Sequence, residues 1–127
     1  MKPIISIHHV SLLVSDTRRS LEFYQGILCL EVDHNRPDLG FPGAWLKVGG
    51  RQIHLIEMPD RVRSAAPAGH GGKDWHLALT VSDLESLATA LGERGIDYTL
   101  SRSGRRALFC RDPDGNAIEL VEEPGDR

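Results

Sequence analysis

The sequence predicts an α+β fold made of two copies of a strand–helix–strand–strand–strand (βαβββ) module. Three observations predict it. His9-Val-Ser-Leu-Leu-Val-Ser-Asp16 is matched by His76-Leu-Ala-Leu-Thr-Val-Ser-Asp83, 67 residues further on. Gly50-Arg-Gln-Ile-His54-Leu-Ile-Glu57 is matched by Gly115-Asn-Ala-Ile-Glu119-Leu-Val-Glu122, 65 residues further on. Two matches in the same order at nearly equal offsets mark an internal repeat. In each copy, one apolar stripe at helical spacing stands among β-patterned runs. The repeat places a first module over residues 4–58, a linker over 59–73 and a second module over 74–123, within a single domain of 127 residues.

Residues 4–14 are apolar and β-branched, so they predict the first strand. Ser15-Asp16 supplies a helix N-cap, and Leu21, Tyr24 and Leu28 follow at helical spacing, with Phe23 and Ile27 widening the stripe. Strands are predicted over 30–33, 44–48 and 52–57, with Gly49-Gly50 as a tight turn. The stretch from Met58 to Lys73 is rich in Gly, Ala and Pro and has no apolar period, as a linker should. Its Gly69-His-Gly-Gly72 suits either a flap or an idle connection. In the second module Ser82-Asp-Leu-Glu85 fits a capping box. Leu84, Leu87, Ala88 and Leu91 form one helix face, and Gly95 ends it. Strands are predicted over 98–101, 107–111 and 117–122, and Asp112-Pro-Asp-Gly115 forms a turn. The helix covers one face of each four-stranded sheet. The other face needs a partner, either the other module or another chain.

Alternation along a strand puts His9 with Ser11 and Leu13, His76 with Ala78 and Thr80, His54 with Gln52 and Ile56, and Glu119 with Ala117 and Val121. The repeat makes His9 equivalent to His76 and His54 equivalent to Glu119. A pseudo-two-fold axis between modules would bring all four to one place. Three imidazoles and one carboxylate form a ligand set for a divalent metal. Glu119, flanked by Ile118 and Leu120, needs a partner, since an unpaired buried charge costs several kcal/mol. A lone strand histidine is ordinarily packed or solvated, and His8, His34 and His70 are read so. Glu57 and Glu122, at strand ends, are read as solvated.

Composition excludes several function classes. A formal charge of −3 and a pI near 6.0 lack the positive field that nucleic acid needs. No apolar run approaches the roughly 20 residues of a membrane span. The N-terminal apolar stretch is too short for a signal peptide. Cys29 and Cys110 are too few for a disulfide framework and predict two reduced thiols in a cytoplasmic protein.

The residues His9-Val-Ser-Leu-Leu-Val-Ser-Asp16, Ser20-Leu-Glu-Phe-Tyr24 and Asp112-Pro-Asp-Gly-Asn-Ala-Ile-Glu-Leu120 resemble the vicinal-oxygen-chelate (glyoxalase/bleomycin-resistance/dioxygenase) superfamily. The resemblance runs from about Ile5 to Glu123. It implies paired modules forming a curved half-barrel around a metal site, often in a homodimer. It also implies ligands on the first and last strands of each module, which map onto His9, His54, His76 and Glu119. The metal expected is one divalent ion among Fe, Mn, Ni, Co and Zn. It would chelate two neighbouring oxygens of a small-molecule substrate.

Departures from the pattern narrow the reaction. His54 stands where glyoxalase I usually has an acidic or amide ligand, Leu13 where it places an arginine, and Met58 where it has an asparagine. Phe109 stands where fosfomycin-modifying enzymes and extradiol dioxygenases have a tyrosine. Drug-binding members generally lack the ligands that this chain keeps. The expected function is therefore a metal-dependent lyase or isomerase in which Glu119 is the catalytic base. A non-haem iron dioxygenase and a drug-binding resistance protein are the alternatives. Ser11, Phe109 and Arg105 are the candidate substrate contacts, with Arg105 suited to a carboxylate or phosphate. Trp45 is expected to pack, and Trp75 to shield the site beside His76.

Overall fold

The structure is a computed structural model that describes residues 1–63 and 68–123. Residues 64–67, part of the linker expected over 59–73, lie outside the described residues. The chain divides into two compact units, Met1–Val62 and Arg63–Arg127.

In the first unit, β1 (His9–Val14) leads to α1 (Thr17–Tyr24), β2 (Glu31–Asp33), β3 (Gly43–Val48) and β4 (Arg51–Glu57), and a short 3-10 turn (Pro59–Arg61) follows. The second unit repeats the order with β5 (His76–Val81), α2 (Leu84–Glu93), β6 (Thr99–Leu100), β7 (Ala107–Arg111) and β8 (Ala117–Glu122). The sheets have equivalent strand orders, β1-β4-β3-β2 and β5-β8-β7-β6. In each, the first and last strands of the unit are parallel neighbours and the other pairs are antiparallel. The predicted α+β architecture of two βαβββ modules is the one observed.

The core of each unit includes alternate strand residues and residues of its helix. Val14, Phe23, Tyr24, Leu46, Ile53 and Leu55 are buried in the first unit, and Leu79, Leu84, Leu91, Leu108, Ile118 and Leu120 in the second. Burying side chains of this size stabilises by roughly 1.5–3 kcal/mol each.

Three expectations need correction. The first strand begins at His9, not at residue 4, and Ile4, Ile5 and Ile7 are exposed. β4 begins at Arg51 after the Gly49-Gly50 turn and His9 already faces Gln52, so the chain before His9 has almost no β4 left to pair with. The Ser82–Glu85 capping box does not form. Asp83 is the N-cap, its carboxylate accepting from the Ser86 backbone N–H at 3.0 Å, because the helix starts one residue later. Glu57 and Glu122 are also not simply solvated. Glu57 accepts from the Thr17 backbone N–H and Glu122 from the Leu84 backbone N–H, each at 2.8 Å. Each carboxylate reaches from the end of its last strand to a free donor at its own helix's N-terminus, where negative charge is favoured.

Gly71 and His70 lie against the face of the second sheet that carries Phe109 and Ala117. A Cβ on Gly71 would stand 2.8 Å from Ala117 Cβ and 3.4 Å from Phe109 Cδ1, so only glycine fits there without displacement. His70 packs edge-on against Phe109 at 4.8 Å, and its Nδ1 is 2.7 Å from Thr99 Oγ1. Gly71 and His70 of the Gly69-His-Gly-Gly72 stretch are therefore seated against the second sheet.

Candidate metal centre

In the first unit, β1, β4, β3 and β2 run side by side, and register aligns Ser11, His54, Trp45 and Asp33 in one row. His9 and Gln52 form part of the next row on the same face. Flat rings stack across this face. Trp45 lies 4.5 Å from His54 at 9°, and His54 lies 4.0 Å from His9 at 17°. Trp45 does pack, but its partner is a candidate ligand. His8, read from sequence as a bystander, has its Nδ1 2.8 Å from His9 Nδ1.

His54 Nε2 donates to Gln52 Oε1 at 2.9 Å, and Gln52 Nε2 donates to Asp33 Oδ2 at 2.7 Å. Burial, followed by the nearby charges of His9, His8 and Arg36, holds the His54 imidazole below its ordinary pKa. The neutral ring is the form that binds metals.

The second unit carries the equivalent row, Ala78, Glu119, Phe109 and Thr99, with His76 and Ala117 beside it. Glu119 is only 3% exposed. Its Oε1 lies 3.3 Å from His76 Nε2, and Arg105 Nη2 donates to its Oε2 at 3.4 Å. His76 Nδ1 donates to the Asp74 backbone carbonyl at 2.9 Å. The Asp74 carboxylate accepts from Arg111 at 2.8 Å and from both terminal nitrogens of Arg63 at 3.2 Å. Phe109 is buried, with His76 edge-on at 5.0 Å. Trp75, expected to shield His76, is 89% exposed and shields nothing.

The donor chemistry of the second pair fits a metal. A carbonyl only accepts, so the proton of the neutral His76 ring sits on Nδ1. In that neutral form Nε2 would carry a lone pair, and it faces a carboxylate oxygen at 3.3 Å. Two lone pairs at that distance call for a proton or a cation between them. A backbone carbonyl behind a ligating imidazole is the usual outer support of such a site. Each unit therefore brings two of the four predicted ligands together. Among the described residues, no cluster of three or more His, Cys, Asp or Glu is poised to hold an ion.

The predicted substrate contacts fall on these same faces. Ser11 is the register partner of His54, and Phe109 that of Glu119. Arg105 is engaged by Glu119. Sequence reasoning missed Gln52, Asp33 and Asp74. For Gln52 the signal was present, since alternation put it on the His54 face. Asp74 acts on His76 through its main chain, which no residue pattern reports.

The family model of the Glyoxalase/Bleomycin resistance protein/Dioxygenase superfamily matches residues 6–120. The chain belongs to that superfamily. It is 33% identical over 123 residues to Glyoxylase I 4 of Arabidopsis thaliana, covering 92% of this chain and 70% of that protein. It is 30% identical over 118 residues to Glutathione transferase FosA of Serratia marcescens, covering 91% of this chain and 79% of that one. Among solved structures, the antibiotic-binding protein TnmS3 of Streptomyces sp. CB03234 superposes with a TM-score of 0.73 at 21% identity, over 98% of this chain and all of that one. That last likeness establishes the superfamily fold alone. No helix among the described residues is long and apolar enough to cross a membrane.

Proposed function

We propose that this superfamily member is a divalent-metal-dependent enzyme that moves a proton on a small, oxygen-chelating substrate, in the manner of a lyase or isomerase. Its ligand set is His9 and His54 from the first unit and His76 and Glu119 from the second. The observation that carries this reading is the His76–Glu119 pair. A carboxylate 3% exposed lies 3.3 Å from Nε2 of an imidazole whose other nitrogen is held by the Asp74 carbonyl. The enzyme names among its relatives, Glyoxylase I 4 and Glutathione transferase FosA, support catalysis over simple binding.

When bound, the ion supplies a Lewis acid that stabilises negative charge developing on substrate oxygens. The chain's own residues do the rest. Glu119 is the catalytic base, its buried carboxylate taking a proton from a carbon beside a carbonyl and returning it. A positioned base of this kind contributes roughly 10²–10⁴-fold. Phe109 and Ser11 flank Glu119 and His54 and contact the substrate. Arg105, which donates to the second Glu119 oxygen at 3.4 Å, is placed to hold a substrate carboxylate or phosphate beside it.

Elemental analysis of gently purified protein tests the reading, together with proton–deuterium exchange into candidate α-hydroxy or α-keto substrates in D₂O. About one divalent ion per chain is expected, with loss of that ion in His54→Ala and loss of exchange in Glu119→Gln. Retention of stoichiometric metal by both His54→Ala and Glu119→Gln would sink it. Oxygen consumption by the iron-loaded protein would replace proton transfer with dioxygenase chemistry.

A further inference from the structure

We infer that Gln52, oriented by Asp33, is a positioning residue that locks His54 as its Nε2–H tautomer and so offers Nδ1 as the nitrogen available to a ligand. Asp33 Oδ1 accepts from the Asn35 backbone N–H at 3.0 Å, and Oδ2 accepts from Gln52 at 2.7 Å. The Asn35 N–H bond lowers the Asp33 carboxyl below its ordinary pKa against a smaller desolvation effect, with Lys47 and Gln52 helping. Asp33 is thus an ionised, acceptor-only group.

An amide facing such a group must present its NH₂, because its oxygen would be repelled. That settles which way Gln52 points. Its Oε1 is then the atom 2.9 Å from His54 Nε2, and an oxygen acceptor there requires the proton on Nε2. A neutral imidazole carries one ring proton, so Nδ1 keeps the lone pair. His76 is set the other way, since its Nδ1 donates to the Asp74 carbonyl. The two histidines offer opposite nitrogens.

The repeat supports a role beyond sheet stability. At the position equivalent to His54 the second unit has Glu119, which has no tautomer to choose. There the relay is absent, with Ala117 standing for Gln52 and Thr99 for Asp33. Of these two equivalent positions, the relay stands at the one whose side chain has a tautomer to set.

The tautomer claim stands on the hydrogen bonds alone, and its extension to a metal rests on the function proposed above. The test uses the ¹⁵N-labelled full chain without metal, at a pH where its histidines are neutral. Long-range ¹H–¹⁵N correlation spectra read the tautomer of each ring, with His54→Gln identifying the His54 signals. The wild type should show His54 protonated on Nε2. Gln52→Met and Asp33→Leu, which break the relay from opposite ends, should each give a mixture of tautomers while keeping a cooperative thermal transition. An Nδ1–H His54 in the wild type would overturn the inference, as would an unchanged tautomer in both folded variants. Zn²⁺ is then added. The expected result is a ¹⁵N shift at His54 Nδ1 and about tenfold or more weaker Zn²⁺ affinity in Gln52→Met, within the roughly 10–100-fold range of outer-shell changes. A Zn²⁺ shift at Nε2 would overturn the assignment of the ligand atom. Failure of the wild type to bind Zn²⁺ beside a correct tautomer would remove the metal reading and leave the relay intact.

Discussion

His76 Nε2 stands 3.3 Å from Glu119 Oε1, although neither residue is the other's partner in the sheet. His76 pairs with Ala117 and Glu119 with Ala78, so the contact runs diagonally across two parallel strands. Small alanines at the two intervening positions leave room for it. Arg105 holds the other oxygen of the same carboxylate. Glu119 is therefore shared between an imidazole and a guanidinium.

That sharing makes Arg105 a competitor for any cation. Its side chain is 61% exposed, so the ion pair contributes no more than about 1 kcal/mol. Arg105→Gln should tighten Zn²⁺ binding by up to about fivefold, since 1.4 kcal/mol is tenfold in affinity. Competition against a chelating dye measures it. Weaker binding in the variant would show that Arg105 supports the site instead.

Gly71 sits against Ala117, where a Cβ would be 2.8 Å from its neighbour's. Gly71→Ala should destabilise the protein by about 1–3 kcal/mol, the usual range for overpacking. Gly71→Ala combined with Ala117→Gly should recover part of that loss. Urea denaturation of the four proteins in the cycle gives the coupling.

Asp74 contributes to the acid limb of stability. The Arg63 guanidinium, followed by Arg111, holds its carboxyl well below the ordinary 3.8. A depressed folded-state pKa contributes stability that is fully present above 3.8 and is lost as pH falls from there towards the lower folded value. Asp74→Asn should therefore be less stable at neutral pH and show a flatter decline in acid. Urea midpoints followed from neutral to strongly acidic pH would reveal both effects.

The two thiols should differ sharply. Cys29 is exposed, whereas Cys110 is buried and its thiol is pushed up to about 12, first by desolvation and then by the Asp112 charge. A thiol-reactive chromophore should label one cysteine in native protein at neutral pH and two in denaturant, because only the thiolate reacts. Rapid labelling of both in the native state would refute the burial of Cys110.

Much of this protein was legible in its residues. Offsets of 67 and 65 marked the repeat, alternation sorted His9, His54, His76 and Glu119 onto sheet faces, and Asp112-Pro-Asp-Gly115 marked its turn. These follow from local geometry, which a strand's two-residue period and a turn's backbone angles impose wherever they occur. Contacts between strands far apart in sequence were decided only by tertiary structure. Pairing with β4 set the start of β1 at His9, and helix ends brought close to strand ends recruited Glu57 and Glu122 as caps. The same applies to the tautomers of His54 and His76. They depend on an amide from the next row and on a main-chain carbonyl, and hydrogen bonds of that kind exist only once the chain has brought their atoms within about 3 Å.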